Sequence, residues 1–429
     1  MFKRNGKVLN KHLFINNKKY IKEKIIVSIF IFIFIFTTSS LANIDDDEEI
    51  NLDEIEEEVI ETSSQIETEP TLNSRIALVY DRTSGNVIYE KNGYKTVPMA
   101  STTKIMTAIV VLENANLQDT VTVEKKAAGT GGSRLGLKVG DKITVNDLLY
   151  GLLLRSGNDA AVALAIHVGG SIEGFATLMN QKANELNLNN TNFETPHGLD
   201  SKNHYTTAYE LAKMADYALK KEKFKKIVGT QNCNITISGV QRNISNTNEL
   251  LGYLNGVYGV KTGFTNGAGR CLVTACKRDN LDIITVVLGA DTKKIRTSDS
   301  IKLIEYIYNN FEMVNIQEKV NEKFNQWKEI NKNRISINKG VTNNMKIDLE
   351  EMQFEEMPIN KKIKDNIEIK VNTIFNFDAP VEEGKIIGNL KIFIDDNEIQ
   401  TLNIYNTENI RKKEIKDYIK QFMYVIKYE

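Results

Sequence analysis

Met99-Ala-Ser-Thr-Thr-Lys-Ile-Met-Thr-Ala108 is the stretch on which the reading of this chain turns. It opens an apolar-periodic run in which Ile105, Ala108, Ile109 and Leu112 share one helical face. Ser101 and Lys104, at i and i+3, then project from the same side. A lysine beside a hydroxyl can serve as its base if the amine is neutral, which needs partial desolvation or a neighbouring cation. The helix start also directs backbone N–H groups toward Ser101, where they can help hold an oxyanion. S-x-x-K alone is a weak signal, because Ser336-Ile-Asn-Lys339 has the same form.

Two further motifs follow in order. Ser156-Gly-Asn158 comes just after a Leu-rich helical stretch ending near Arg155. A second hydroxyl there can pass a proton to a leaving nitrogen, and a carboxamide can orient a substrate amide. Lys261-Thr-Gly263 is expected to close a strand, with Lys261 as the cation that tunes Lys104. At a sheet edge its backbone can pair with an extended peptide, Lys261 and Thr262 can hold a carboxylate, and Gly263 leaves room for close approach. Ser84-Gly-Asn86, Ser201-Lys-Asn203 and Ser336-Ile-Asn338 also read S-x-N, so context has to discriminate.

That context alternates between two periods. Arg75 to Asp81 and Val87 to Lys91 read as a hairpin around Arg82-Thr-Ser-Gly-Asn86, which makes Ser84 a turn residue. From Ser101 to Lys221 the pattern is helical, with helices expected at 159–167, 172–186 and 208–220, the last opened by the capping box Thr207-Ala-Tyr-Glu210. Strands return at 232–238, 257–261, 271–277 and 282–289, and a helix at 296–311 closes the run. This order predicts an α/β (α+β) domain over 72–312, with an antiparallel sheet whose two ends meet and helices packed on it. Short alternating strands such as Ile367 to Val371 predict a small C-terminal all-β domain over 313–405, where Ser336 is a chance match.

Composition bounds the rest. At 429 residues, 41% hydrophobic and 26% charged, the chain has room for two globular domains. Residues 1–42 carry eight basic residues and one acid, leaving 47 basic against 55 acidic residues, net -8, in the remainder. A body of that charge argues against nucleic-acid binding. The basic start, the apolar run Ile25 to Phe36 and the small residues up to Ala42 predict an export signal at 1–42 cleaved after Ala42; an uncleaved anchor is the alternative. The run is about 12 residues, short of the roughly 20 a spanning helix needs. Residues 43–71 read as an acidic, solvated linker. Residues 406–429 form a basic amphipathic tail around Ile415, Ile419, Phe422 and Ile426, suited either to an anionic membrane surface or to docking on the β domain.

Cys233, Cys271 and Cys276 are an odd number, and the spacing of the last two puts them on opposite faces of a shared strand, so all read as small apolar residues. His167 reads as structural. His197 and His204 are a conceivable zinc pair, but no H-x-x-E-H pattern supports one and no metal or cofactor is expected. No G-x-S-x-G elbow is present.

The ordered trio resembles the signature of penicillin-binding proteins and class A β-lactamases. The longer strings Met99 to Ala108, Leu153-Leu-Arg-Ser-Gly-Asn-Asp-Ala-Ala161, Thr195-Pro-His-Gly-Leu-Asp200 and Gly259-Val-Lys-Thr-Gly-Phe-Thr265 are similar to those of low-molecular-mass penicillin-binding proteins that are serine-type D-Ala-D-Ala carboxypeptidases. Val381-Glu-Glu-Gly-Lys-Ile-Ile-Gly388 resembles their C-terminal β domain. The resemblance implies a β-lactamase/transpeptidase-like fold acting on peptidoglycan stem peptides, with β-lactams as covalent inhibitors. It makes Ser101 the nucleophile, Lys104 its base and Ser156 the proton relay. It gives substrate contacts to Asn158, Lys261, Thr262 and Gly263, and the oxyanion hole to the N–H groups of Ser101 and Phe264. Arg296, in Arg-Thr-Ser-Asp-Ser-Ile-Lys-Leu303, matches an arginine that helps hold the terminal carboxylate. Phe264 stands where some members carry His. The implied place of action is outside the cell membrane, on its outer face.

Three rivals share parts of this pattern. A class A β-lactamase needs a carboxylate-activated deacylating water, for which Glu185-Leu-Asn187 is only a faint match in a helical stripe, and its middle motif usually has Asp where this chain has Gly157. A β-lactam sensor needs spanning helices and an output segment. A transpeptidase or endopeptidase would use the same residues on the same substrate.

Overall fold

The computed structural model describes residues 50–55, 59 and 68–428. The expected signal at 1–42, and most of the linker at 43–71, lie outside the described residues.

Strands β1 (Ile76–Asp81), β2 (Val87–Lys91), β3 (Thr120–Thr122), β4 (Lys142–Thr144), β5 (Asn232–Ile237), β6 (Val240–Ser245), β7 (Val257–Thr265), β8 (Gly269–Arg278) and β9 (Leu281–Ala290) follow one another in the first domain. A five-stranded antiparallel sheet has the order β2-β1-β9-β8-β7, so the two ends of the domain do meet and β7 is an edge. Strand side chains alternate between faces. Leu78, Val273 and Val286 enter one core, while Val79, Leu272 and Val287 enter the other.

The first core is filled by α1 (Lys104–Asn114), α2 (Val145–Leu153), α3 (Asn158–Gly169), α4 (Ile172–Glu185), α5 (Ala208–Leu219) and α6 (Glu222–Val228). Every residue of α1 from Lys104 to Val111 is buried, as expected of a helix apolar on most sides. The second face is covered by α7 (Lys293–Asn310), through Ile301, Ile304 and Ile307. Thr207 caps α5 by accepting from the Glu210 amide at 3.1 Å. The Glu210 carboxylate does not complete the box; it accepts from the Asn190 amide (2.9 Å) and the Thr191 hydroxyl (2.6 Å), tying α5 to the preceding loop.

Several expectations need correction. Lys261-Thr-Gly263 lies inside β7, which runs on to Thr265, instead of at its end. A small two-stranded antiparallel sheet, β3–β4, interrupts the helical block. The acidic linker is not simply solvated, since Ile55 and Val59 are buried in the second core with Leu72, Ile50 and Leu52 pack against it, and the Tyr253 hydroxyl donates to Asp53. Apolar residues spaced three or four apart inside the acidic run give one buried face, while Asp53 and Glu54 stay exposed. Cys271 and Cys276 fall in opposite cores, as their spacing requires, and all three thiols are free.

The second domain begins at β10 (Phe311–Asn315) and includes α8 (Ile316–Asn331), β11 (Ser336–Asn338), β12 (Ile347–Leu349), β13 (Glu356–Asn360), β14 (Ile367–Thr373), β15 (Asn376–Asp378), β16 (Ile386–Ile394) and β17 (Asn397–Asn406). It is a β domain around the four-stranded sheet β12-β17-β16-β14, but α8 adds Ile316, Val320 and Phe324 to its core. Bridges from Val381 to Ile410 and from Gly340 to Lys412 carry it past the expected boundary at 405. Ser336 sits in β11, far from a helix start. The tail forms α9 (Ile415–Tyr428), whose Ile415, Ile419, Phe422 and Ile426 are all exposed, so this face is not docked on the β domain. No single helix among the described residues is long and apolar enough to cross a membrane.

Ile55→Ala is expected to lower stability by about 2 kcal/mol, the low end for emptying a buried isoleucine site, read as a shifted urea midpoint. A freely solvated linker would leave the midpoint where it is.

Candidate active site

The turn that carries Ser101 is set by backbone conformation. Residues 100–103 form a 3-10 turn leading into α1, and Ala100 takes φ +48°. Ser156 likewise sits at φ +59°. Both values lie in the left-handed region that non-glycine residues avoid, at a cost of order 1 kcal/mol each, and both fix where a hydroxyl points.

Lys104 connects the parts. It is fully buried, and its Nζ is 2.7 Å from Ser101 Oγ, 2.7 Å from Asn158 Oδ1 and 2.9 Å from the His197 carbonyl oxygen. Asn158, the first residue of α3, donates through Nδ2 to the Gly131 carbonyl at 2.7 Å. The next residue, Asp159, accepts from the amides of Leu135, Gly136 and Leu137 at 2.8 to 3.0 Å. That buried carboxylate shapes the loop carrying Ser133 and Arg134 along the cleft, a role no motif announced.

The threonines of the first motif hold the loop at 195–204. Thr103 Oγ1 donates to the Ala100 carbonyl and lies 2.8 Å from His204 Nε2, and Thr107 Oγ1 donates to the Pro196 carbonyl at 2.6 Å. Gly198, at φ +86°, passes so close that a Cβ there would lie 1.9 Å from the Ala100 carbonyl oxygen. His197 and His204 are therefore structural: the Nδ1 of His197 accepts from the Leu199 amide, and that of His204 from the Glu194 amide. Burial pushes His197 down to about 3, and burial, partly opposed by Glu194 and Asp200, pushes His204 down to about 4. His167 is on the surface, 3.5 Å from Asp119.

β7 forms the opposite wall. A Cβ at Gly263 would lie 3.1 Å from the Ser101 amide nitrogen and 3.2 Å from that of Thr102, so glycine lets the edge strand approach Ser101 without crowding its backbone. Lys261 is buried and donates to the Thr262 carbonyl at 2.9 Å, while the hydroxyls of Thr262 and Thr247 are 2.7 Å apart. The Arg270 guanidinium covers the Phe264 ring at 4.1 Å. Between the walls lies a cleft of about 290 Å³, bordered by Ser101, Ser156, Thr262, Gly263 and Phe264. Arg134, Arg155 and Lys293 give it a cationic rim.

Arg296 does not reach this cleft directly. Its side chain is wholly buried on α7, and Nη2 pairs with the carboxylate of Glu249, which itself borders the cleft. Burial opposes ionisation of Glu249, but the Arg296 charge and the Thr297 hydroxyl outweigh it and hold the carboxyl below the usual range. Glu185 ends α4 and pairs with Lys182 at the surface, outside the cleft, which leaves the β-lactamase reading without its carboxylate.

Known proteins match this chain in sequence and in fold. The profile of D-alanyl-D-alanine carboxypeptidases aligns with residues 63–292, and that of the penicillin-binding protein 5 C-terminal domain with residues 311–412. The chain belongs to the D-alanyl-D-alanine carboxypeptidase family. This carboxypeptidase is 33% identical over 362 residues to the D-alanyl-D-alanine carboxypeptidase DacF of Bacillus subtilis, covering 82% of this chain and 89% of that protein. The crystal structure of the D-alanyl-D-alanine carboxypeptidase DacD from Francisella tularensis superposes with a TM-score of 0.66 at 28% identity, over 81% of this chain and 95% of the other. A Streptomyces DD-transpeptidase superposes over 56% of this chain and 98% of its own length, with a TM-score of 0.54 at 36% identity.

Unfolded imidazoles bind protons near the ordinary value of about 6.5, whereas the folded His197 and His204 resist protonation until about 3 and about 4. The unfolded state therefore takes up protons first as pH falls. Their contribution is fully present above about pH 6.5 and declines toward pH 4, visible as a falling urea midpoint. His204→Gln should make that dependence shallower.

Proposed function

We propose that this enzyme removes the terminal D-Ala from peptidoglycan stem pentapeptides through an ester on Ser101. The carrying observation is the buried Lys104 amine, 2.7 Å from Ser101 Oγ and 2.7 Å from Asn158, beneath a cleft walled by a sheet edge. Ser101 Oγ attacks the penultimate D-Ala carbonyl as its proton passes to the Lys104 amine, which serves as base in its neutral form. The oxygen that becomes anionic is held by the N–H groups of Ser101 and Phe264, brought together by the close approach at Gly263. The departing D-Ala nitrogen receives a proton through Ser156, and water then cleaves the ester. Lys261 and Thr262 bind the terminal carboxylate, and β7 pairs with the extended peptide. The cationic rim of Arg134, Arg155 and Lys293 suits the other carboxylates of an acidic stem peptide. A β-lactam, as a strained amide of similar shape, acylates the same hydroxyl.

Its substrate is outside the cytoplasm, which agrees with an export signal at 1–42. The exposed apolar face of α9, with Lys413, Lys416, Lys420 and Lys427 alongside, supports attachment to the outer face of an anionic membrane.

Incubation with a pentapeptide stem is expected to release D-Ala, and Ser101→Ala or Lys104→Ala to lower the rate by about 1,000-fold or more, as for other nucleophile and base deletions. Release surviving either change would refute the mechanism. Deleting residues 415–429, which leaves the bridges made by Ile410 and Lys412 in place, is expected to move the protein from the membrane fraction to the soluble one without loss of D-Ala release.

A further inference from the structure

Glu249 is the one acid among the described residues that border the cleft, beside Thr247, Thr262 and Lys293. Its Oε1 accepts from Arg296 Nη2 and from the Thr297 hydroxyl at 2.5 Å. Arg296 is 0% exposed, and its Nε and Nη1 meet no acceptor among the described residues, nor does the second Glu249 oxygen find a donor there. The arginine that resemblance assigns to the substrate carboxylate is thus already occupied by an internal carboxylate that stands between it and the cleft. A second carboxylate must either lie against Glu249, as a like charge, or displace it and break a charge-assisted contact. Each route subtracts from what a free terminal carboxylate gains, while an amidated or peptide-linked terminus incurs neither cost. Terminal recognition then falls to Lys261 and the paired hydroxyls of Thr247 and Thr262.

We infer that Glu249 is a positioning residue for specificity: by holding Arg296 it reduces this enzyme's preference for a free terminal carboxylate and admits donors whose terminal D-residue is amidated or peptide-linked. This rests on the D-Ala-D-Ala reading of the site. The test compares kcat/KM of the full chain for diacetyl-Lys-D-Ala-D-Ala and for the same peptide ending in D-alaninamide. Glu249→Gln keeps the shape and removes the charge. It should raise the acid-to-amide ratio about tenfold, the scale of one charge-assisted hydrogen bond, mainly through a lower KM for the acid. A purely structural role would affect both peptides alike, so an unchanged ratio overturns the inference. Should the Gln variant melt early, Glu249→Ser removes the same charge, and the ratio is expected to rise in it as well. If the wild type cleaves neither peptide, the substrate reading itself fails and this inference falls with it, an outcome distinct from an unchanged ratio.

Discussion

An amine buried beneath a hydroxyl is the constraint around which the catalytic domain is arranged. Lys104 can be kept out of water only if its donors find acceptors, because a buried unpaired ammonium or amine is costly. Ser101, Asn158 and the His197 carbonyl provide them, and they come from the turn before α1, the start of α3 and the loop at 195–204. Three segments distant in sequence must therefore close on one nitrogen. The apolar bulk of α1 and the tight passage of Gly198 over Ala100 make that closure possible.

The sheet supplies the other half. With β2 and β7 as its edges, helices fill one face and α7 the other, leaving β7 free on one side along the cleft. Gly263 allows the strand to approach the Ser101 amide, so the same backbone can serve both peptide pairing and anion binding. On the proposed mechanism binding and chemistry share one edge, which would account for the mixture of lysine, threonine and glycine in a buried strand.

What the sequence revealed followed the range of the interactions. Ser101 and Lys104 are one helical turn apart, and Ser156 and Asn158 flank a single turn, so local geometry suffices to pair them. Cys271 and Cys276 were separable because strand alternation is strictly local. Glu249 was not legible: its role depends on Arg296, 47 positions away and brought near only when α7 packs behind the sheet. The clamp made by Thr103 and His204 spans 101 positions and was hidden for the same reason. Ile55 and Val59 were obscured by the acids around them, and the stripe of Ile316, Val320 and Phe324 by a domain dominated by alternation.

The separation of the cysteines has a consequence for redox behaviour. Cys271 and Cys276 lie on opposite faces of β8, and burial pushes both thiols up to about 11. Burial also raises the thiol of the half-buried Cys233. Exchange chemistry proceeds through the thiolate, so burial shifts all three toward the less reactive thiol. The native core uses no covalent cross-link among these cysteines. The catalytic domain thus draws from packing the rigidity that disulfides lend to many small extracellular domains.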